Sequence, residues 1–146
     1  VGAMIGEAVV FTGMKAPKYF FTIVKRHGAL LAKGRMLGIQ FDTLFTDNLY
    51  FKVSQHAINM AVRICDIFKK HCIAIAYDSP TNQQFVVLPK KLYEALSQKV
   101  AFEIWERKSD EEIVCRFVTS WATKEEELDG LDRILTALCG ACRDED

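Results

Sequence analysis

Val53, Ala57, Met60, Ile64 and Ile67 are separated by steps of four, three, four and three residues and form one apolar stripe. That spacing predicts a long helix, capped by Thr46 or Asp47 and ending near His71, that buries a single face. Beyond it the period changes. "CIAIAY", "QQFVVL", "AFEIWER" and "IVCRFVTSW" are short, apolar and rich in β-branched or aromatic residues, so each predicts a strand. "SPTN" and "KSDEE" supply turns, and Lys90 to Lys99 is a short amphipathic helix carrying Leu92, Tyr93 and Leu96. "TKEE" places Thr123 and Glu126 as a capping box that opens a last helix, with Leu128, Leu131, Leu135 and Leu138 inward. Strand, strand, helix, strand, strand, helix makes an α+β unit in which helices cover one face of a small, mostly antiparallel sheet.

The first third is less regular. "IGEAVVFTG" predicts a strand from about Ile5 to Thr12, stopped by Gly13. Pro17 suits the first turn of a helix whose Tyr19, Phe20, Ile23 and Val24 keep helical spacing as far as Gly28. "ALLAKGRMLGIQFDTLF" is helical in period but interrupted by Gly34 and Gly38. A glycine inside a helix costs about 1 kcal/mol relative to Ala, so the pair predicts a close helix–helix or helix–ligand approach.

Within "IVCRFVTSW" the two-residue period puts Ile113, Cys115, Phe117 and Thr119 on one side and Val114, Arg116, Val118 and Ser120 on the other. Arg116 therefore stands between valines. A guanidinium does not give up its charge, and where water is scarce it needs a carboxylate or phosphate of matching geometry. An internal Asp or Glu is the ordinary partner. The functional alternative is a substrate carboxylate taken by two parallel N–H donors on a rigid strand.

Composition narrows the classes. The chain has 146 residues, 50% of them hydrophobic and 26% charged, the make-up of an ordinary globular domain. Its formal net charge is zero, which gives no general attraction to nucleic acid or to an acidic membrane. No run approaches the ~18 apolar residues of a membrane span. A soluble cytoplasmic protein is the expectation. Five cysteines in apolar or helical settings suit reduced thiols, and "CGAC" has the place of helix-end residues rather than of a redox turn. His27, His56 and His71 lack metal-ligand spacing, and no nucleophile stands beside a base, so neither a metal site nor a catalytic residue is expected in this segment.

Charge is uneven all the same. Between Glu7 and Asp42 the chain has no acid, while Lys15, Lys18, Lys25, Arg26, Lys33 and Arg35 are basic. Most of these fit a solvated helix face. Lys33 and Arg35 flank a glycine, where a phosphate could come close. "GALLAKGR" lacks the Gly-Lys-Ser/Thr order of a Walker A loop, so a nucleoside triphosphate is not indicated.

"VGAMIGEAVVF", "RHGALLAKGRMLGIQFDTLF", "SPTNQQFVVL" and "CRFVTSWATKEEELDGL" together resemble the later part of the threonine aldolase and β-eliminating lyase family. These are pyridoxal-phosphate enzymes of the aspartate-aminotransferase-like fold. The resemblance implies that residues 1–45 end the large cofactor-binding domain with an interdomain helix, and that residues 46–146 are the C-terminal small domain. It implies that Arg116 binds the α-carboxylate of an amino-acid substrate, and that Arg35, with Lys33 second, reaches the cofactor phosphate of a neighbouring subunit in a homodimer or homotetramer. The family's Schiff-base lysine lies just before a segment like "VGAMIGEAVVF" and would precede Val1, so the 146 residues alone are expected to be inactive. The reaction implied is cleavage of β-hydroxy amino acids to glycine and an aldehyde. β-Elimination on the same fold, or a non-catalytic α+β interaction domain, are the alternatives.

Overall fold

The computed structural model describes residues 1–6 and 8–141. The chain divides into two compact units, Val1–Phe51 and a second that starts at Lys52. The first holds helices α1 (Phe20–Arg26) and α2 (Arg35–Phe45), followed by a 3-10 turn at Thr46–Asn48. Helix α3 (Leu49–Lys70) comes next. Then follow β1 (Ala74–Tyr77), β2 (Gln83–Pro89), α4 (Lys90–Ser97), β3 (Glu103–Arg107), β4 (Glu112–Val118) and α5 (Glu125–Ala141).

The second unit has the expected α+β order. Its four strands pair antiparallel in the order β1-β2-β4-β3. The stripe on α3 is the buried one, with Ala57, Met60, Ile64 and Ile67 all inside. Leu96 of α4 and Leu128, Leu131 and Leu135 of α5 close the same core over Val86, Leu88, Ile113, Cys115 and Phe117 of the sheet. Phe117 packs between two rings, Phe68 and Phe102, each with its centroid 4.8 Å away. Each fully buried Leu or Phe contributes about 1.5–3 kcal/mol relative to exposure, and this cluster is what holds the helices to one face of the sheet. Thr119, also buried, donates its hydroxyl to the Ala57 carbonyl oxygen at 2.7 Å and so ties the end of β4 to α3. Both outer strands carry a register shift, between Ile75 and Tyr77 on β1 and between Ile104 and Glu106 on β3.

The first unit departs from the sequence reading. None of the described residues between Ile5 and Thr12 is in a strand, and Val9 and Val10 are 68% and 76% exposed. β-Branched sequence needs a neighbouring strand before its backbone can be satisfied in a ladder. Here the Gln40 side chain takes that role locally, accepting from the Met4 N–H at 2.7 Å and donating to the Ile5 carbonyl oxygen at 2.8 Å. Pro17 lies outside α1, its carbonyl oxygen accepting from the Phe20 N–H in a turn, and Tyr19 has a left-handed backbone at φ 65. Ala29 to Gly34 is not helical, because the chain turns at Gly28, at φ 69, and restarts at Arg35. A Cβ on Gly38 would meet nothing within 4 Å, and one on Gly34 only the Leu31 carbonyl oxygen at 3.9 Å. The close approach expected at these glycines is therefore not made among the described residues.

Two caps also differ. Thr46 donates its hydroxyl back to the Asp42 carbonyl oxygen, and Asp47 and Asn48 both have positive φ, so neither Thr46 nor Asp47 caps α3 and the helix starts at Leu49. At α5 the box slides one residue along. Thr123 accepts from the Ser120 N–H, while the Glu127 carboxylate, in place of Glu126, accepts from the Lys124 N–H at 2.8 Å.

Candidate functional site

One face of the sheet is covered by helices; the other carries Arg116. Antiparallel pairing sets Phe85 and Glu103 on either side of Arg116, so the three side chains stand together on this face. Trp105, 53% exposed, packs edge-on against Phe85 with centroids 5.1 Å apart. The Arg116 guanidinium lies 5.5 Å from the Trp105 ring centroid, within cation–π range. Tyr77 extends the aromatic row at 5.6 Å from Phe85 and donates its hydroxyl to Glu106 at 2.8 Å. The Glu106 carboxylate, as acceptor of that bond, raises the phenol above its ordinary pKa.

Arg116 is held from two directions. Nη1 donates to Gln83 Oε1 at 3.0 Å, and Nη2 is in a short ion pair with the Glu103 carboxylate. Nε is buried with no hydrogen-bond partner. The Arg116 side chain is 27% exposed and that of Glu103 65%. A guanidinium has five N–H donors, so the two partners leave part of the fork unused. The arginine thus has an internal acid, yet the acid is on the solvent side and the cation remains accessible beside aromatic rings.

Asn82 and Thr119 interlock beneath this group. The Thr119 N–H donates to the Asn82 carbonyl oxygen at 3.0 Å, and the Asn82 side-chain amide donates to the Thr119 carbonyl oxygen at 2.6 Å. The turn "SPTN" and the strand "RFVTSW" are thereby one structural piece, which fixes the start of β2 against the end of β4.

Lys33 and Arg35 belong to the first unit. Both are exposed; Lys33 is in the turn before α2 and Arg35 is the first residue of that helix. The N-cap of α2 is Gly34, which offers no side-chain acceptor, and the first turn contains no acid. Positive side chains around a helix start of this kind suit a phosphate. Two of the three histidines take structural places: His56 Nε2 lies 2.7 Å from the Thr123 carbonyl oxygen and His71 Nε2 2.7 Å from Asp132. Among the described residues no group of three or more His, Cys, Asp or Glu is arranged to hold a metal. Cys139 is in α5, at its partly buried side, and Cys142 of "CGAC" lies outside the described residues. A cleft of about 480 Å³ is lined by His71, Cys72, Leu92, Glu112 and Cys139, among others, and none of its described lining residues belongs to the Arg116 group.

The partly exposed Arg116 fork suits a carboxylate, and, separately, the acid-free start of α2 with Lys33 and Arg35 suits a phosphate. All twelve lysines are exposed. The sequence reading found Arg116 from a charge inside an apolar strand but missed Glu103, Gln83 and Trp105. Their alternation was visible; the register that brings them to Arg116 was not.

No family model and no curated protein matches the chain. Among solved structures, the threonine aldolase of Leishmania major superposes with a TM-score of 0.79 at 33% sequence identity, over 82% of this chain. The chain spans 35% of that enzyme's length, consistent with a C-terminal portion. No described helix is long and apolar enough to cross a membrane. In sequence motifs and in backbone alike, the chain resembles part of a threonine aldolase.

Proposed function

We propose that the chain is part of a pyridoxal-phosphate-dependent lyase that cleaves β-hydroxy amino acids such as threonine to glycine and an aldehyde. The observation that carries this reading is the match to the Leishmania major enzyme, 33% identical over 82% of the chain. The activity is assigned to the complete protein, because the chain corresponds to 35% of the matched enzyme. Residues 1–45 are read as the end of its large domain and residues 46–146 as its small domain, in a homo-oligomer.

In this reading Arg116 binds the substrate's α-carboxylate. A planar fork on a rigid strand fixes the carboxylate in two dimensions, and that orientation determines which bond at Cα is aligned for cleavage. Gln83 holds Nη1 and Trp105 lies against the guanidinium, so the fork is positioned before substrate arrives. Arg35, with Lys33 second, reaches the cofactor phosphate of a neighbouring subunit. Pyridoxal phosphate, when bound, supplies an electron sink for breaking the Cα–Cβ bond.

Arg116→Lys in the complete protein replaces a bidentate donor with a point charge. The KM for threonine should rise about 10- to 100-fold, the equivalent of losing a charge-assisted hydrogen bond of about 1.5–3 kcal/mol, with the cofactor's absorbance retained. Steady-state kinetics on the variant provide the measurement, and an unchanged KM refutes the assignment. A second reading, a non-catalytic α+β interaction domain, draws on the Arg116–Glu103 ion pair. It requires that Arg116→Lys change no kinetic constant.

A further inference from the structure

Glu103 occupies the place where an incoming carboxylate must bind. Its carboxylate is on Arg116 Nη2, the terminal nitrogen left over once Gln83 has taken Nη1. It comes from β3, an outer strand whose five residues are all exposed, and its own side chain is 65% exposed against 27% for Arg116. An ion pair in which the acid is mostly in water is weak, about 0–1 kcal/mol. The arginine is the more enclosed partner and is held by other contacts: the Gln83 hydrogen bond and the Trp105 ring. Release of Glu103 therefore returns a carboxylate to water while the guanidinium stays in place.

We propose that Glu103 is a displaceable internal carboxylate that competes with substrate for Arg116 and so sets the affinity of the site. The inference rests on the reading of Arg116 as the carboxylate-binding residue. Without substrate, Glu103 neutralises a cation surrounded by Phe85 and Trp105, which would otherwise bind adventitious anions. With substrate, the α-carboxylate takes Nη2 in place of Glu103, beside the Nη1 that Gln83 holds. A glutamate side chain offers one carboxylate at the end of a flexible stem. A free amino acid carries its carboxylate to the fork without that tether, so it can adopt the two-pronged geometry that Glu103 does not make here. Glu103 is thus a specificity-setting residue that acts through Arg116.

The test uses Glu103→Gln, Glu103→Ala and Glu103→Asp in the complete protein, alongside Arg116→Lys. Removing the negative charge with Gln or Ala should lower the KM for threonine by up to about fivefold, the fold-change that matches the upper end for an exposed ion pair. Titration calorimetry with glycine should show a parallel gain in affinity. Asp, which keeps the charge, should stay near the parent value. If the Gln and Ala variants raise KM, or leave it and the glycine affinity unchanged, while Arg116→Lys still raises KM, Glu103 only supports the arginine and the inference is wrong. If Arg116→Lys itself leaves KM unchanged, the reading of the site fails and the inference with it.

Discussion

Among single residues, burial separates the cysteines as sharply as charge singles out Arg116. Cys115 is fully enclosed on β4, and burial pushes its thiol up to about 11. Cys72 is exposed, at a left-handed φ of 59 just after α3. Thiolate is the reactive form, so an alkylating reagent near neutral pH should label Cys72 well before Cys115. Mass spectrometry of timed, quenched samples reads the order, and denaturant should abolish the difference. Part of this was legible beforehand, since the two-residue alternation through "IVCRFVTSW" put Cys115 and Arg116 on opposite faces, though not which face was inner. What surrounds Arg116 was not legible. Glu103 is 13 positions away, and its pairing depends on a register that a shifted β3 changes by one residue.

Helices α3 and α5 are joined by charges as well as by their leucines and isoleucines. Arg63 pairs with Glu125 at 2.9 Å and with Asp129, and Lys70 and His71 both reach Asp132, at 2.6 and 2.7 Å. Hydrogen bonds from Lys70 and then His71 hold the Asp132 carboxyl below the usual aspartate range. A carboxyl whose pKa is lowered by folding adds stability above its unfolded value, and that contribution is lost as pH falls through the folded value. Asp132→Asn should therefore weaken the fold at neutral pH and flatten the loss of stability on acidification below about pH 4, where unfolded aspartate titrates. Urea melts of both proteins across that range measure it. Element types in this half were readable because period, turn residues and packing agree. The caps were less so: "TKEE" offers an acid at two neighbouring positions, and only the backbone settles that Glu127 reaches the Lys124 N–H. The strand expected at Ile5 to Thr12 failed for a different reason, since strand propensity describes what a segment does once it has a partner.

The two units differ in how they are stabilised. From Lys52 onward a closed cluster of side chains from three helices and the sheet is buried. None of the described residues 1–51 is buried; Phe11 and Phe20 meet at 5.1 Å and Phe45 and Tyr50 at 5.2 Å, all on partly open surfaces. Local opening is governed by such burial. In the 146-residue chain, amides of α1 and α2 should exchange with deuterium within seconds to minutes, while those of β2, β4 and the Ala57 to Phe68 stretch of α3 persist far longer. Hydrogen exchange followed by peptide mass spectrometry checks this, and uniform protection would contradict it.

The register shifts on β1 and β3 have a consequence for how copies of this chain meet. An unbroken outer strand offers a row of amides and carbonyls on which a neighbour can lay its own backbone. Here each rim is kinked where such a row would need to run straight, and β3 adds Glu103, Glu106 and Arg107 to water. Each rim is thereby a poor template for another molecule's strand, so edge-to-edge growth of the sheet is disfavoured at both ends.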